Sequence, residues 1–373
     1  MTGTIISEII KLFRSVFKMS KILIAGAGGT PSENVIKSLL ECSRNEEVIG
    51  MGSEPSDLIL SAARRKYIVP YAIDDNYLEK VIKLLQKEKP DLIHFQNDIE
   101  ILEASKIRND VLATGTKLFM PTHEVIEKCV DKFKSAEIWE KEGIRIPKTM
   151  GISTPGDLKR AFDLLGDESG KIWLRATVGG GGRGALPTND FEFASKWIDR
   201  YDGWGSFTAA ELLTPETVTW LSIWHAGELV VAQTRKRRSW NFGNRTLSGV
   251  TGVTRVGETY SCEEVNKVAI DSIQAVDKRP HGIYGVDMAY DSSGFPNPTE
   301  INISRFFTTV YFFTKAGLNM PKIFKDIVLY GEFPSLTKKI NPLPDGLLWI
   351  RSMDREPLLT TEQEILKILK VIE

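Results

Sequence analysis

The residues best suited to chemistry lie in one segment near the middle of the chain, where a short apolar strand runs into a glycine-dense turn. The sequence there is KIWLRATVGGGGRGA over residues 171–185, so the strand carries Arg175 and the turn carries Arg183. Glycine has no Cβ, so its backbone N–H groups can wrap an anion, and arginine adds charge-assisted hydrogen bonds. The segment predicts a phosphate-binding loop more strongly than a flexible surface loop. The loop glycines are Gly179, Gly180, Gly181 and Gly182.

A second group of chemical residues, two acids and an amide, lies towards the C-terminal end of the chain. The pattern predicts a strand over residues 282–290, a turn over 291–294 and a returning strand over 297–302. Glu300 and Asn302 are two residues apart and share a face of the second strand, and a hairpin can bring Asp287 opposite them. Two carboxylates and an amide oxygen form an all-oxygen site suited to Mg²⁺. A hairpin with incidental acids is the alternative, and the presence of a phosphate loop favours a metal–nucleotide site over it.

Composition narrows the class of protein. The chain has 373 residues, enough for two or three domains, and its 48 basic and 49 acidic residues give a net charge of −1. This balance disfavours a nucleic-acid binder that works by bulk electrostatics, and the basic run at 235–238 is interpreted as a solvated or site-lining patch. Three separated cysteines and four scattered histidines predict no disulfide, zinc site or catalytic triad, and the cysteine usage indicates the cytoplasm. They are Cys42, Cys129, Cys262, His94, His123, His225 and His281.

The first nineteen residues have a pattern of their own. Apolar residues recur at helical spacing and charged residues fall between them, which predicts an amphipathic helix. Such a helix could lie on a membrane, pack on another subunit or be an extension before the true start at Met19, and membrane contact is the less favoured interpretation. Charges interrupt the apolar residues and no small-residue cleavage site follows, so a signal peptide is not predicted.

The elements that position the two chemical segments change character along the chain. From Lys21 onward, predicted strands at 21–25, 47–51, 67–70 and 92–95 alternate with helices, which predicts a parallel, doubly wound sheet. Its glycine turn at 26–29, followed by Glu54, resembles a dinucleotide fingerprint, but the spacing is G-x-G-G and the match is weak. Asp131 is a predicted N-cap for a helix that has Lys132 at its head. Strands predicted at 207–213, 217–224 and 229–233 are antiparallel in character, so the fold class is α/β with an α+β C-terminal half.

The order of these motifs resembles the ATP-grasp superfamily, and most closely the ligase halves of the carbamoyl phosphate synthetase large subunit. The resemblance covers about 21–335 and includes the helix with Lys132, the glycine loop, the segment ELLTPE at 211–216 and the acidic hairpin. It implies an extension at 1–19, a Rossmann-like domain at 20–122, a small subdomain with the glycine loop at 123–205, a large subdomain with the metal site at 206–335, and a C-terminal element at 336–373.

The resemblance also implies a role for each site residue. Lys132 and Arg175 would contact nucleotide phosphates, as would the glycine loop. The backbone of Glu211 to Leu213 would bind adenine, and Glu216 would hold the ribose hydroxyls. Asp287, Glu300 and Asn302 would hold one or two Mg²⁺ ions, with Mn²⁺ as an alternative metal. Arg305, together with Arg255, would offset charge on the transferring group.

One departure from the family affects Arg305. The family commonly has E-x-N-x-R, whereas this chain has Glu300-Ile-Asn302-Ile-Ser304-Arg305, which is one residue longer. On a regular strand an extra residue turns the side chain to the other face unless a bulge intervenes. A bulge near Ser304 would therefore be needed to direct Arg305 inward, and we expect the inward orientation.

The implied function is ligation of a small carboxylic acid to an amine or thiol through an acyl phosphate, with Mg·ATP. A second ATP-grasp half, a glutaminase domain and a biotin-carrier motif are missing from the sequence, so it is too short for a whole carbamoyl phosphate synthetase. A homodimer is a candidate assembly, and no nucleic acid is expected. Two alternatives stay open: a nicotinamide-dependent enzyme that uses the turn at 26–29 and Glu54, and an ATP-binding sensor or scaffold without ligase activity.

Overall fold

The computed structural model describes residues 19–42, 46–353 and 355–368, so the predicted helix at the N-terminus lies outside the described residues except for Met19.

The first sheet of the chain is parallel, with strand order β3-β2-β1-β4. After Lys21, its core strand β1 is apolar and fully buried, as expected for a strand covered on both faces. The strands are β1 (Lys21–Ile24), β2 (Glu47–Gly52), β3 (Arg65–Ile68) and β4 (Leu92–His94). The helices between them are α1 (Thr30–Leu40), α2 (Pro55–Leu58) and α3 (Tyr77–Glu88). The predicted parallel α/β arrangement is confirmed.

Four helices lead from this sheet to the next, and polar side-chain caps define where three of them begin. They are α4 (Asp98–Lys106), α5 (Arg108–Ala113), α6 (His123–Val130) and α7 (Lys132–Lys141). The Asn97 side chain accepts a hydrogen bond from the backbone N–H of Ile99 at the start of α4. The Asp131 carboxylate accepts from two backbone N–H groups at the start of α7, so its predicted role as N-cap is confirmed. The cap fixes Lys132 as the first residue of α7.

The second sheet is small and antiparallel, with strand order β5-β8-β6-β7. Its elements are β5 (Thr149–Ile152), α8 (Pro155–Leu165), β6 (Ile172–Ala176), β7 (Leu186–Thr188), α9 (Phe191–Arg200) and β8 (Phe207–Glu211). A capping box between Thr154 and Asp157 starts α8. The sequence pattern did not predict β5, which is only four residues long and is held by pairing with β8. Tertiary pairing, not local preference, therefore makes this strand.

The third sheet is antiparallel, with strand order β13-β12-β9-β10-β11-β14-β15. Its strands are β9 (Thr217–His225), β10 (Glu228–Trp240), β11 (Thr254–Thr259), β12 (Gly282–Tyr290), β13 (Pro296–Ile303), β14 (Leu347–Ile350) and β15 (Leu358–Thr361). Its helices are α10 (Glu263–Val276), α11 (Val310–Lys315), α12 (Met320–Tyr330) and α13 (Glu362–Ile368). The strand predicted at 229–233 is too short: β10 has 13 residues, and the basic run at 235–238 lies on it. Successive side chains of this run therefore point to opposite faces of the sheet.

The hydrophobic cores show how the three sheets relate. Ile22 and Ile24 of the first sheet share a cluster with Leu221 and Ile223 of the third sheet. The second sheet instead has a cluster built from its own strands and helices, between Ile152 and Ala209. The first and third sheets are thus joined by common apolar packing, while the second forms a separately packed layer. Within the residues described, no helix is both long and apolar enough to cross a membrane.

Candidate active site

Alternation along β6 directs the strand's polar side chains into the space between the second and third sheets. Ile172 and Leu174 are fully buried in the core of the second sheet, whereas Trp173 and Arg175 line a cavity on the other face. The loop that follows needs glycine at Gly184, where φ is +67° and a Cβ would lie 2.6 Å from the Phe207 ring. The local sequence therefore presents both a cation and loop backbone to the cavity.

This cavity has a volume of about 500 Å³ and collects most of the residues that the sequence predicts for the site. The predicted residues that line it are Lys132, Arg175, Gly179, Gly180, Gly181, Gly182, Arg183, Glu211, Leu213, Asp287 and Glu300. They come from α7, from the second sheet and from the hairpin of the third sheet. Segments separated by more than a hundred residues thus meet in one place.

Two cations connect the glycine loop with the hairpin. The Lys132 ammonium donates a 2.7 Å hydrogen bond to the Gly179 carbonyl and lies 3.4 Å from the Glu300 carboxylate. Arg175 donates a 2.7 Å hydrogen bond to the Thr299 carbonyl, while its Nε is buried and has no partner within the described residues. A buried N–H without an acceptor costs free energy, so the Arg175 fork has donor capacity that a ligand oxygen could satisfy.

The hairpin brings the predicted metal ligands together. Asp287 lies directly opposite Glu300 across the β12–β13 pair, and a register shift next to this pair leaves Thr299 as an extra residue. Asp287 accepts hydrogen bonds from the Thr219 hydroxyl and, at 3.0 Å, from the Asn302 amide. Burial raises the pKa of Asp287, but Arg237 and these hydrogen bonds outweigh it and hold the pKa below its usual range. The carboxylate is therefore ionised at neutral pH.

Arg305 points towards the same cluster. The strand ends at Ile303, and Ser304 has a left-handed φ of +56°, which redirects the chain. The guanidinium then donates to the Asn302 amide oxygen and forms a two-pronged ion pair with Asp98, at 2.6 and 3.1 Å. The inward orientation expected for Arg305 is what the structure has. The left-handed residue compensates for the extra position in the sequence.

Asp98 is a site residue that sequence reasoning missed. It is the first residue of α4 and follows β4, so it lies beyond the carboxyl end of a parallel strand. Ligands of open α/β sheets bind at that edge, and this rule was the available signal. A Cβ placed on Gly180 would lie 3.8 Å from Asp98 and 4.0 Å from Arg305, so the tip of the glycine loop lies beside this ion pair.

Two of the residues predicted for the site, Arg255 and Glu216, do not line the cavity. Arg255 is exposed, whereas its neighbour Thr254 is buried and accepts hydrogen bonds from two arginines of β10, so strand alternation places Arg255 on the opposite face. The structure thus does not bring Arg255 into the site; Arg237 is the arginine that lines the cavity there. The Glu216 side chain is 61% exposed and pairs with Lys236 at 3.0 Å, at the margin of the cavity.

In the glycine turn of the first sheet, the N–H groups of Ala27, Gly28 and Gly29 already donate hydrogen bonds within the protein. The Glu33 carboxylate accepts from the backbone N–H groups of Gly28 and Ala62, at 2.9 and 3.0 Å, and from the Ser61 hydroxyl. The Glu54 carboxylate accepts from the Tyr71 hydroxyl. A dinucleotide needs the N–H groups of the glycine turn for its pyrophosphate and an acid at the position of Glu54 for its ribose. The geometry therefore disfavours the nicotinamide alternative.

The donor set of the hairpin fits a hard divalent cation. Its oxygens already attract Lys132 and Arg305, which shows a negative potential at that face. In the part of the chain that the structure describes, no three His, Cys, Asp or Glu side chains lie close enough together to hold a metal ion. A metal here would have two protein carboxylates, an amide and oxygens from water or phosphate. That is the usual coordination of Mg²⁺ at nucleotide sites.

Comparison with known proteins shows that the architecture of this chain is similar to that of several solved structures. No family model and no curated protein sequence matches this chain. Among solved structures, a biotin carboxylase from Campylobacter jejuni in complex with β,γ-ATP has a TM-score of 0.67 at 15% identity, covering 90% of this chain and 76% of that one. A carboxyaminoimidazole ribonucleotide synthase from Aspergillus clavatus, complexed with ATP, has a TM-score of 0.67 at 13% identity and coverages of 89% and 81%.

A third similar structure is the L-amino acid ligase from Bacillus licheniformis, with a TM-score of 0.63, 13% identity, and coverages of 88% and 78%. In each case about nine-tenths of this chain superposes, so the likeness spans all three sheets. Identities this low establish architecture and leave the reaction open. The chain has the ATP-grasp fold.

Proposed function

We propose that this protein is an ATP-dependent, ADP-forming ligase that joins a small carboxylic acid to an amine or a thiol through an acyl phosphate. The observation that supports the proposal is the meeting of a glycine loop, two cations and an acidic hairpin around one cavity. The ATP-grasp fold agrees with it, and solved structures of that fold include complexes with ATP and with MgADP. The narrower likeness to carbamoyl phosphate synthetase remains a prediction.

In this proposal, the second sheet holds the nucleotide. The adenine lies between the Glu211–Leu213 segment and the apolar wall that Trp173 and Met288 give the cavity. Lys132 and Arg175 contact the phosphates, and the loop N–H groups add further donors. Charge neutralisation and positioning are the main requirements of phosphoryl transfer. The site therefore needs no catalytic histidine or cysteine.

The reaction then has two displacements. An oxygen of the acid's carboxylate attacks the γ-phosphorus, the bond from that phosphorus to the β–γ bridging oxygen breaks, and ADP leaves. The amine or thiol next attacks the acyl carbon, inorganic phosphate leaves, and the nucleophile loses its proton to solvent. Arg305 stabilises the negative charge on the transferring phosphoryl group. Mg²⁺ or Mn²⁺, held by Asp287, Glu300 and Asn302, would neutralise phosphate charge at the same place.

Thermal melting with nucleotides tests the binding step. We expect Mg·ATP to stabilise the full chain by about 2.7 kcal/mol at a hundredfold excess over its dissociation constant. NADH should leave the melting temperature unchanged, because Glu33 occupies the glycine turn of the first sheet. A melting temperature that rises with NADH and not with Mg·ATP would contradict the proposal.

ADP release across a panel of acids and amines tests the chemical step. Glu300→Gln should abolish ADP release while leaving the circular dichroism spectrum intact, since it neutralises one proposed metal ligand and keeps its shape. The competing function, an ATP-binding sensor or scaffold, predicts nucleotide binding without acid-dependent ADP release. Its support in the sequence was the displaced Arg305, and the contact of Arg305 with Asn302 weakens that support.

A further inference from the structure

Three arginines surround a single threonine on the cleft face of the third sheet. Arg235 and Arg237 both donate hydrogen bonds to the Thr254 hydroxyl, each at 3.1 Å. Arg351 donates to the Thr254 carbonyl at 3.4 Å and to the Thr308 carbonyl at 3.1 Å. Arg235 is 1% exposed and the side chain of Arg237 is 8% exposed. Guanidinium groups remain charged in proteins, so like charges have been buried side by side.

Among the described residues, Arg237 is the member of this cluster that has a carboxylate partner, and Arg235 has none. Arg235 donates to the hydroxyls of Thr219, Thr254 and Thr309, and in the described part of the chain it forms no ion pair. Its Nε is buried and has no acceptor among the residues that the structure describes. The nearest carboxylate oxygen to Arg237 belongs to Asp287, 3.9 Å away. A buried charge that is not paired is strongly destabilising, so a structural role alone does not explain the cluster.

The cluster begins at the metal face: Arg237 lines the same cavity as the glycine loop and Asp287, whereas Arg235 and Arg351 are not part of the lining of that cavity. Arg235 lies directly opposite Thr219, and Thr219 lies directly opposite Asp287. Two strand spacings, about 10 Å, therefore separate the backbone of Arg235 from that of Asp287. Gly257 has no side chain opposite β10, and a Cβ there would lie 3.1 Å from the Arg235 side chain. This face thus places Arg235 two strands away from Asp287, while the Arg237 guanidinium reaches to 3.9 Å from the Asp287 carboxylate.

We propose that Arg235, Arg237 and Arg351 form a subsite for a second anionic group of the acid substrate, which makes that substrate a dicarboxylic or phosphorylated acid. This inference rests on the proposed ligase function, in which the acid's other carboxylate reacts beside Arg305 and the acidic hairpin. Guanidinium forks match the oxygens of carboxylate and phosphate. Arg237 uses two of its five N–H donors on threonines, so it has donors left for a ligand.

Binding of small acids without nucleotide tests the subsite. Succinate is compared with butyrate, which has the same number of carbons and one carboxylate, by titration calorimetry on the full chain. We expect succinate to bind at least about tenfold more tightly than butyrate, because a charge-assisted hydrogen bond is worth roughly 1.5–3 kcal/mol. Inorganic phosphate is then added as a competitor. Displacement of succinate indicates a phosphorylated acid, and failure to displace it indicates a dicarboxylic acid.

A matched pair of variants locates the binding. Arg237→Gln should weaken succinate binding at least about tenfold and abolish the preference of the protein for succinate over butyrate. Arg238→Gln makes the same charge change one residue along the strand, on the opposite face where it pairs with Glu258, and should change binding by less than about twofold. Arg237→Lys keeps the charge but not the two-pronged guanidinium, so its affinity for succinate should lie between those of the other two variants. If Arg237→Gln fails to fold by circular dichroism, Arg351→Gln replaces it.

The inference would be overturned if succinate and butyrate bound equally tightly. Equal losses of succinate affinity in Arg237→Gln and Arg238→Gln would also overturn it. Thermal melting with Mg·ATP on the same proteins separates this failure from failure of the ligase function. Stabilisation by Mg·ATP without a succinate preference removes only the subsite. A succinate preference with no response to Mg·ATP removes the ligase function and leaves an oxyanion-binding site.

Discussion

At the scale of single residues, a chain of hydrogen bonds links the first sheet to the proposed metal face. Asp98 holds Arg305, Arg305 donates to the oxygen of Asn302, and the amide nitrogen of Asn302 donates to Asp287. The amide is fixed in orientation because a donor lies on one side and an acceptor on the other. Displacement of one member would therefore change the position of the next.

Arg305→Ala should reduce turnover by about 10³-fold or more, the scale found for arginines that assist phosphoryl transfer. Its affinity for Mg·ATP should change little, since the nucleotide contacts are assigned to Lys132 and Arg175. Steady-state ADP release and titration calorimetry measure the two quantities. A loss of ATP affinity as large as the loss of turnover would contradict a role confined to the transferring group.

Asp98→Asn is the companion variant, because it keeps the size of Asp98 and weakens only its hold on Arg305. We expect kcat to fall by about tenfold to a hundredfold, the cost of a small misplacement, with KM for ATP unchanged. Asp98→Glu, which restores the charge, should recover part of the activity. A mild effect of Arg305→Ala combined with a severe effect of Asp98→Asn would make the ion pair structural.

Glu100 gives a prediction about pH that is independent of activity. Burial raises its pKa to about 7, although the hydrogen bond from Tyr77 lowers it, and one of its oxygens has no partner among the described residues. The folded state then binds the proton more tightly than the unfolded state, whose pKa is near 4.5. Stability should therefore fall as pH rises from about 4.5 to about 7, by about 3 kcal/mol in total, and level off above that.

Glu100→Gln should remove this decline, because the amide keeps the acceptor for Tyr77 and does not ionise. Urea unfolding of both proteins at pH 5 and pH 8 measures the difference. The variant should gain stability relative to the wild type at pH 8 and less or none at pH 5. The same pH dependence in both proteins would place the titrating group elsewhere.

At the scale of elements, two glycine-containing loops meet over the proposed phosphate site. The loop between β10 and β11 approaches the glycine loop so closely that a Cβ on Gly252 would lie 2.6 Å from the Gly181 Cα. Val250 of the same loop lies against Gly182. The position of one loop therefore depends on the other, and neither strand pairing nor local propensity specifies this contact.

Gly252→Ala should weaken Mg·ATP binding at least about tenfold, because the new methyl group displaces the glycine loop from its position over the phosphates. Gly249→Ala is the matched control: its φ is +72° against +71° at Gly252, but a Cβ there meets nothing within 4 Å. Both variants carry the same backbone strain, so only the steric contact differs. Equal losses of affinity by calorimetry would attribute the effect to strain alone.

At the scale of the whole molecule, the second sheet is packed separately from the continuous core of the first and third. Its cluster contains residues from 152 to 209, whereas the other clusters mix residues from both remaining sheets. A unit with its own core can open without disrupting the rest. The proposed nucleotide site lies between this unit and the third sheet, so a bound nucleotide would join them.

Native-state hydrogen exchange should therefore show lower protection in β5–β8 than in β9, β10 and β12 of the protein without ligand. Mg·ATP should raise the protection of β5–β8 and leave that of the first sheet nearly unchanged. Both amide sets are measured in the same sample by mass spectrometry. Uniform protection that responds uniformly to Mg·ATP would mean that the three sheets open as one unit.

The sequence by itself determined the local features of this protein. Apolar runs, the Asp131 cap and the two-residue spacing of Glu300 and Asn302 specify strands, a helix start and a shared face, because these depend on near neighbours in the chain. The tertiary structure alone decided the rest: that Asp98 reaches Arg305, that Arg255 points away and that β10 extends to bring Arg237 to the cleft. These outcomes depend on strand length, register and a left-handed Ser304, which long-range pairing fixes and local spacing does not.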